Sequence, residues 1–458
     1  MTKKTIFALF LIFAISAISA ISGLVPEAWA TGPRNVTSSG VPVKWNPLPI
    51  TVNLETDMDV RGKDVLPLVQ DALNTWENLT ESSVTFTQGT LGTAVDNSNV
   101  CCFFYDPSAC PSGPTDDGTN PLVIDEDGSI TASFFGAGNK LTTLGFASII
   151  TFNSSTGAAA KGEAVFNAAC LAGKELAGCS TATTGGLSFS DDDFESFIVH
   201  EMGHFQGLDH SQVNLLEATD ASPLNDDLIN TMFPTFILGN GANFRVPHRD
   251  DRISLAQLYP ASDFASTTWK IDGTVFRPGG ATQLQCANLV ARNTVNPRVD
   301  AISALSGDFA PAGSAVGTYE ILGLTPGQSY TVEVEPIGHG FTGASGYTPC
   351  RGSSGEPVPP QFDPQAPATT YTHAGGGTES GVNFTLTGIS ALTLEGDPAG
   401  LISGDAEDPS VDEGAIQEDI AALELKYASA APACSSGTGT SGSGSSGSSG
   451  GCSLIRDR

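Results

Sequence analysis

The sequence predicts an α+β domain, an all-β sandwich and a disordered tail, in that order. Three observations predict it. The run His200-Glu201-Met202-Gly203-His204-Phe205-Gln206-Gly207-Leu208-Asp209-His210 needs a helix to bring its histidines together. After Pro260 the chain changes to short alternating strands broken by Gly and Pro. Ser435 to Gly451 is almost wholly Ser, Gly and Thr. A length of 458 residues fits two or three domains.

Residues 1–30 read as a signal peptide. Lys3 and Lys4 precede an apolar run from Ile6 to Val25, and Ala28-Trp29-Ala30 has small residues at the two positions that signal peptidase reads. Such a run is also long enough to span a membrane. Ser16, Ser19, Ser22, Gly23 and the Ala-x-Ala site favour cleavage instead. The mature chain is expected to be secreted and extracellular, without stable membrane insertion, and cell-surface association is a further option.

The run at 200–210 carries the chemistry. On a helix, positions 200 and 204 lie one turn apart on one face, so both imidazoles can reach one ion. Gly207 can adopt the left-handed conformation that ends a helix, which lets His210 swing in as a third ligand. Three protein ligands and a water make a catalytic rather than a structural zinc site, and such a water has its pKa lowered to roughly 7. Glu201, beside the first ligand, is placed to take that water's proton. A bare His-Glu-x-x-His arises by chance on many helices. Agreement at Gly207 and His210 as well is much more specific, and three of the chain's 6 His lie in this motif.

With these residues the chain resembles the metzincin metalloendopeptidases and, within them, the matrixins (peptidase family M10-like). Thr231-Met232-Phe233-Pro234 fits the methionine turn that metzincins place beneath the zinc, and Ser211 after the third histidine is the matrixin-like choice. Asp250 to Tyr259 looks like the helix that closes matrixin domains. Lys44-Trp45 and Ile50 to Leu54 resemble their first strand, and Val65 to Leu79, with Trp76, their first long helix. The resemblance implies a mixed twisted sheet plus a zinc-binding helix over residues 31–262. It also implies one catalytic zinc held by His200, His204 and His210, with Glu201 as base and Met232 as the turn methionine. In the family the chain after that turn walls the pocket for the residue past the scissile bond. Pro234 and Phe236 are the candidates here, unless these side chains face the core and the insert before Met232 forms the rim.

Several features depart from the family. No Cys precedes Cys101, so latency through a propeptide cysteine is not expected. Animal matrixins bind a structural zinc through three further His and an Asp, whereas this domain offers only His248 outside the motif. An insert of 21 residues separates His210 from Met232, and its Glu217, Asp220, Asp226 and Asp227 could shape the cleft or hold a cation.

Nine cysteines in an exported chain imply disulfides with one left over. Cys101, Cys102 and Cys110 cluster, Cys170 and Cys179 are close, and Cys286 could bridge Cys350, but the sequence assigns no pairing. Lys+Arg 20 against Asp+Glu 50 gives a net charge of −30, which argues against nucleic acid and anionic membrane as partners. Asp125-Glu126-Asp127-Gly128 reads as a turn and Ser190 to Asp193 as a helix cap. Both runs could instead hold Ca2+, which matrixins commonly use.

Residues 266–388 read as a small β-sandwich. Trp269 to Val275 and Gly317 to Gly327, leading into Tyr330 to Glu335, alternate with period 2 around a Pro-Gly turn. The pattern resembles the carboxypeptidase regulatory-like domain, of prealbumin-like fold. Its His339 and His373 read as loop residues. Residues 389–458 form the tail, acidic over 396–420 and then Ser/Gly-rich. Gly450-Gly451-Cys452 resembles the start of a bacterial surface-sorting signal, but no apolar helix follows it.

Two function classes result. One is a secreted zinc metalloendopeptidase that hydrolyses proteins or peptides, expected as a monomer. The other is a surface adhesin whose sandwich works while the metal site is vestigial. An intact Glu201 beside three ligands favours the enzyme.

Overall fold

The computed structural model describes residues 32–37, 39–100, 103, 118–141, 143–179, 188–215, 217, 223–233, 236–237, 239–307, 316–337 and 361–389, with two short strands at 451–452 and 455–456. The expected signal peptide, the Cys101, Cys102 and Cys110 cluster, Asp220, Pro234, His339, Cys350 and most of the tail lie outside the described residues. Among those described, no helix is long and apolar enough to cross a membrane.

The first unit is built on a mixed sheet. Strands β1 (Lys44–Trp45), β2 (Ile50–Leu54), β3 (Phe86–Thr90), β4 (Pro121–Asp125) and β6 (Ala158–Asn167) pair in parallel, and β5 (Gly145–Phe152) runs antiparallel to β6 beyond them. Strand β4 is buried on both faces. Leu122 and Ile124 enter the main core, and Val123 joins Phe134, Phe135, Phe146 and Val165 on the other side. Both faces of such a sheet must therefore be covered.

Helices cover the main face. Helix α1 (Leu66–Glu77) begins with Pro67 in its first turn and buries Val69, Ala72, Leu73 and Trp76, spaced as one helical face. The shorter α2 (Ser129–Phe135) covers the opposite face. It follows the acidic turn that the sequence suggests at 125–128. Gly128 there is left-handed at φ 72°, and the Asp125 carboxylate accepts the Ile130 and Thr131 amides at 3.2 and 2.7 Å. Helix α3 (Asp191–Phe205) packs beside α1 and carries the histidine motif. A short α4 (Gly241–Phe244) and the closing α5 (Arg249–Leu258) complete the unit.

The second unit is all β. Strands β9 (Ala287–Asn293), β10 (Ala301–Leu305), β12 (Ser329–Pro336) and β13 (Thr370–Thr372) form one sheet. Strands β8 (Trp269–Phe276), β11 (Thr318–Leu324), β14 (Gly377–Glu379) and β15 (Phe384–Thr385) form the other. Alternate residues from both sheets, among them Trp269, Ile271, Leu289, Ile321, Tyr330 and Val332, share one core, as period-2 patterning requires in a sandwich.

The two units are welded together. Ile253 and Ala256 of α5 belong to the second core, and Ile253 packs on the left-handed Gly323 (φ 78°). The insert after His210 also lies here. Val213 packs with Val290 and Ala301, Gln212 donates to Glu335 at 2.8 Å, and Glu217 pairs with Arg298 at 2.8 Å. Gln212, Val213 and Glu217 of the insert thus dock on the sandwich, while the carbonyls of Asp226 and Asp227 meet Asn240 and His248 of the first unit.

Cys170 and Cys179 form a disulfide. Cys286 is also disulfide-bonded.

Candidate metal centre and cleft

Helix α3 is set at both ends by its own sequence. Ser190 caps it in a reciprocal box. Its Oγ accepts the Asp193 amide at 3.2 Å, and the Asp193 carboxylate accepts the Ser190 amide at 2.9 Å. Asp191 pairs with Lys63 and Asp192 with Arg245. The run 190–193 is thus engaged in capping and ion pairs. At the other end Gly207 is left-handed (φ 100°) and turns the chain toward His210.

Carbonyls at a helix C-terminus lack partners within the helix. Here two aromatic donors serve the end of α3 and its cap, and a third reaches a carbonyl further back in the helix. Trp76 Nε1 donates to the Val199 carbonyl at 2.9 Å, Trp45 Nε1 to Phe205 at 2.7 Å and the Tyr259 hydroxyl to Gln206 at 2.6 Å. They come from α1, β1 and the residue after α5, so three elements fix the helix against the sheet.

His200, His204 and His210 converge. Their Nε2 atoms lie 3.1 Å apart for 200 and 204, and 3.0 Å apart for 204 and 210. His200 Nδ1 is 2.6 Å from the Thr231 carbonyl and His204 Nδ1 is 2.8 Å from the Leu208 carbonyl. A carbonyl only accepts, so both Nδ1 atoms carry the proton and both Nε2 atoms present lone pairs to each other. Two lone pairs at that distance repel unless a cation lies between them. A tetrahedral ion with bonds of 2.0–2.1 Å would separate its nitrogens by about 3.3 Å, within a few tenths of an ångström of the 200–204 and 204–210 pairs, and all three ligand atoms lie within 4.8 Å of one another. Burial pushes His200 down to about 4 and His204 and His210 well below their ordinary value, with the Arg34 charge adding to the effect. All three are neutral at pH 7, as ligands must be. Among the described residues, this triad is the group of three or more such side chains able to hold a metal ion.

Glu201 is fully buried and lies against β5. Met232 is also fully buried, and its sulfur occupies the space where a β-carbon on Gly203 would stand. Its turn is held from α5, because the Asp251 carboxylate accepts the Thr231 and Met232 amides at 3.0 and 3.1 Å. Beside His200 opens a cavity lined by Leu144, Phe197, Thr231, Phe233, Phe236 and Phe244, among others. Phe236, the pocket candidate, is in this lining and meets Phe197 edge-on at 4.4 Å.

Residues 44–260 match the matrixin family model. No curated protein matches the chain. The match covers the metal centre, the methionine turn and α5, and ends where the sandwich begins. Catalytic zinc and metallopeptidase chemistry are properties of that family, and the matrixin-like domain here has the histidines to hold the ion.

Sequence reasoning overlooked other contributors. Arg34 is buried and donates to the Ala147 carbonyl at 2.9 Å, while Pro33 bridges Leu208 in the turn that delivers His210. Asp251 was legible only as a helix start. His248, the spare histidine, precedes α5 and contacts the Asp227 carbonyl at 2.9 Å. His373 pairs with Glu379 at 3.3 Å and lies over Trp269.

Proposed function

We propose that this protein is a secreted zinc metalloendopeptidase that cuts protein or peptide chains. The observation that carries the reading is the pair of opposed Nε2 lone pairs on His200 and His204 with Glu201 beside them. When bound, zinc acts as a Lewis acid toward the scissile carbonyl and lowers the pKa of an attacking water to about 7. His200, His204 and His210 would hold the ion, and the carbonyls of Thr231 and Leu208 orient the first two rings. Glu201 takes the water's proton and returns it to the leaving amine. The Asp251-anchored turn keeps Met232 beneath the ligands.

The side chain after the cut is taken to enter beside His200, where the small cavity lined by Phe233, Phe236 and Phe244 must widen to hold it. That aromatic lining favours Leu, Ile, Met or Phe, each worth about 1.5–3 kcal/mol when fully buried, and would desolvate a charge without a partner. Calcium is not part of this core reading, since the turns at 125–128 and 190–193 are engaged in capping. The Cys170–Cys179 bond suits an oxidising compartment, in line with export through residues 1–30. Nothing specific favours the adhesin reading over this one.

Digestion of casein by the purified chain tests the proposal. Hydrolysis should stop with a chelator, return with zinc, and leave products cut before apolar residues. Hydrolysis indifferent to the chelator, or none by a zinc-loaded chain whether or not residues 451–458 are present, would refute it.

A further inference from the structure

Strand β5 stands at one edge of the first six strands of the sheet, opposite β3, and its outer side is taken by a distant part of the chain. Strand β16 (Gly451–Cys452) runs antiparallel to it, with Gly451 opposite Phe146 and Cys452 opposite Gly145. Strand β17 (Ile455–Arg456) runs parallel to β7 (Phe236–Ile237), with Ile455 opposite Phe236 and Arg456 opposite Ile237. These partners are the two borders of the cleft. Gly145 touches Glu201, and Phe236 lines the cavity that also contains His200. Strand β16 lies against α3 as well. Two residues of sequence separate these strands, so neighbouring parts of one stretch of chain pair with β5 and with β7.

Strand addition to a sheet edge is a general way to hold an extended peptide, with main-chain hydrogen bonds giving affinity. We propose that the strand pair β16 and β17 is a built-in occupant of the substrate cleft, which holds the enzyme closed by competing with peptide substrates for β5 and β7. The proposal rests on the peptidase reading of that cleft. Attachment through the chain makes the competition intramolecular, at an effective concentration that falls with the length of the connecting chain. An incoming substrate must displace the segment, or the segment must be removed.

Two readouts test this. The full chain is compared with a G451P/I455P variant and with a chain ending at Gly450, because proline cannot donate to a strand ladder. In the first readout, kcat/KM on a small peptide should rise about tenfold or more in both altered chains. The second needs no turnover. In a zinc-loaded E201Q background, a fluorescent octapeptide of residues 451–458, carrying C452S so that strand pairing rather than a thiol is read, is followed by anisotropy. It should bind the shortened chain and the proline variant about tenfold or more tighter than the chain with its own segment intact. Equal binding to all three, or binding to none, overturns the proposal. A chain that binds the octapeptide as expected but never cuts a peptide overturns the peptidase reading alone.

Discussion

A β-carbon placed on Gly145 would lie 2.9 Å from Cγ of Glu201 and 3.0 Å from the Val165 carbonyl oxygen. The edge strand thus approaches the proposed base so closely that only glycine leaves its carboxylate undisturbed. The backbone oxygen behind Gly145 cannot retreat without disrupting β6, so the side chain of Glu201 has to move.

Gly145→Ala should therefore lower kcat while the histidines keep their metal. A misplacement near 1 Å can cost about 100-fold, and a loss of that order is expected. Metal content by mass spectrometry and kcat on a peptide check it. Unchanged kcat, or loss of zinc in step with activity, would place the base elsewhere.

The metal centre was legible because its logic is local. Helical period sets His200 against His204, and the left-handed Gly207 brings His210 round. Gly145, Arg34 and Asp251 were not legible, since each acts across a long stretch of chain that no periodicity connects. An acid in the first turn of α5 has a sufficient local explanation in the helix dipole, which hid the grip of Asp251 on the methionine turn. Helix α2 was missed because the Asp125 to Gly128 run was a sufficient turn in itself. The sandwich strands followed from alternation. The docking of Gln212, Val213 and Glu217 upon them did not, because such contacts as Val213 with Val290 depend on the finished surface of β9.

Asp250 fastens the two units. Its carboxylate accepts the Ser303 amide at 2.7 Å and the Ser211 hydroxyl at 2.6 Å, all in a buried setting. Asp250→Ala leaves those donors without it and should cost about 2–4 kcal/mol. Ser303→Ala, which keeps the amide bond, should cost about 1 kcal/mol. Denaturant unfolding measures both, and an Asp250→Ala chain as stable as the parent would show that the units are not coupled there.

Glu163 on β6 is fully buried, and that burial pushes its carboxyl well above the ordinary 4.5, against the opposing charge of Lys161. The folded chain then holds a proton that the unfolded chain releases. Its contribution to stability is complete below pH 4.5 and declines as pH rises through the folded value. Glu163→Gln should flatten that decline, as read from unfolding free energies across pH 4 to about 8. An unaltered slope would mean that the carboxyl is ionised in the fold.

The central claim is that His200, His204 and His210 hold zinc while Glu201 moves the proton, and Glu201→Gln tests it most directly. Zinc stoichiometry and kcat/KM on one peptide are measured on the same preparation. The account predicts one zinc per chain, as in the parent, with kcat/KM lower by about 10²–10⁴-fold. A fully zinc-loaded Glu201→Gln chain that turns over near the parental rate would contradict it.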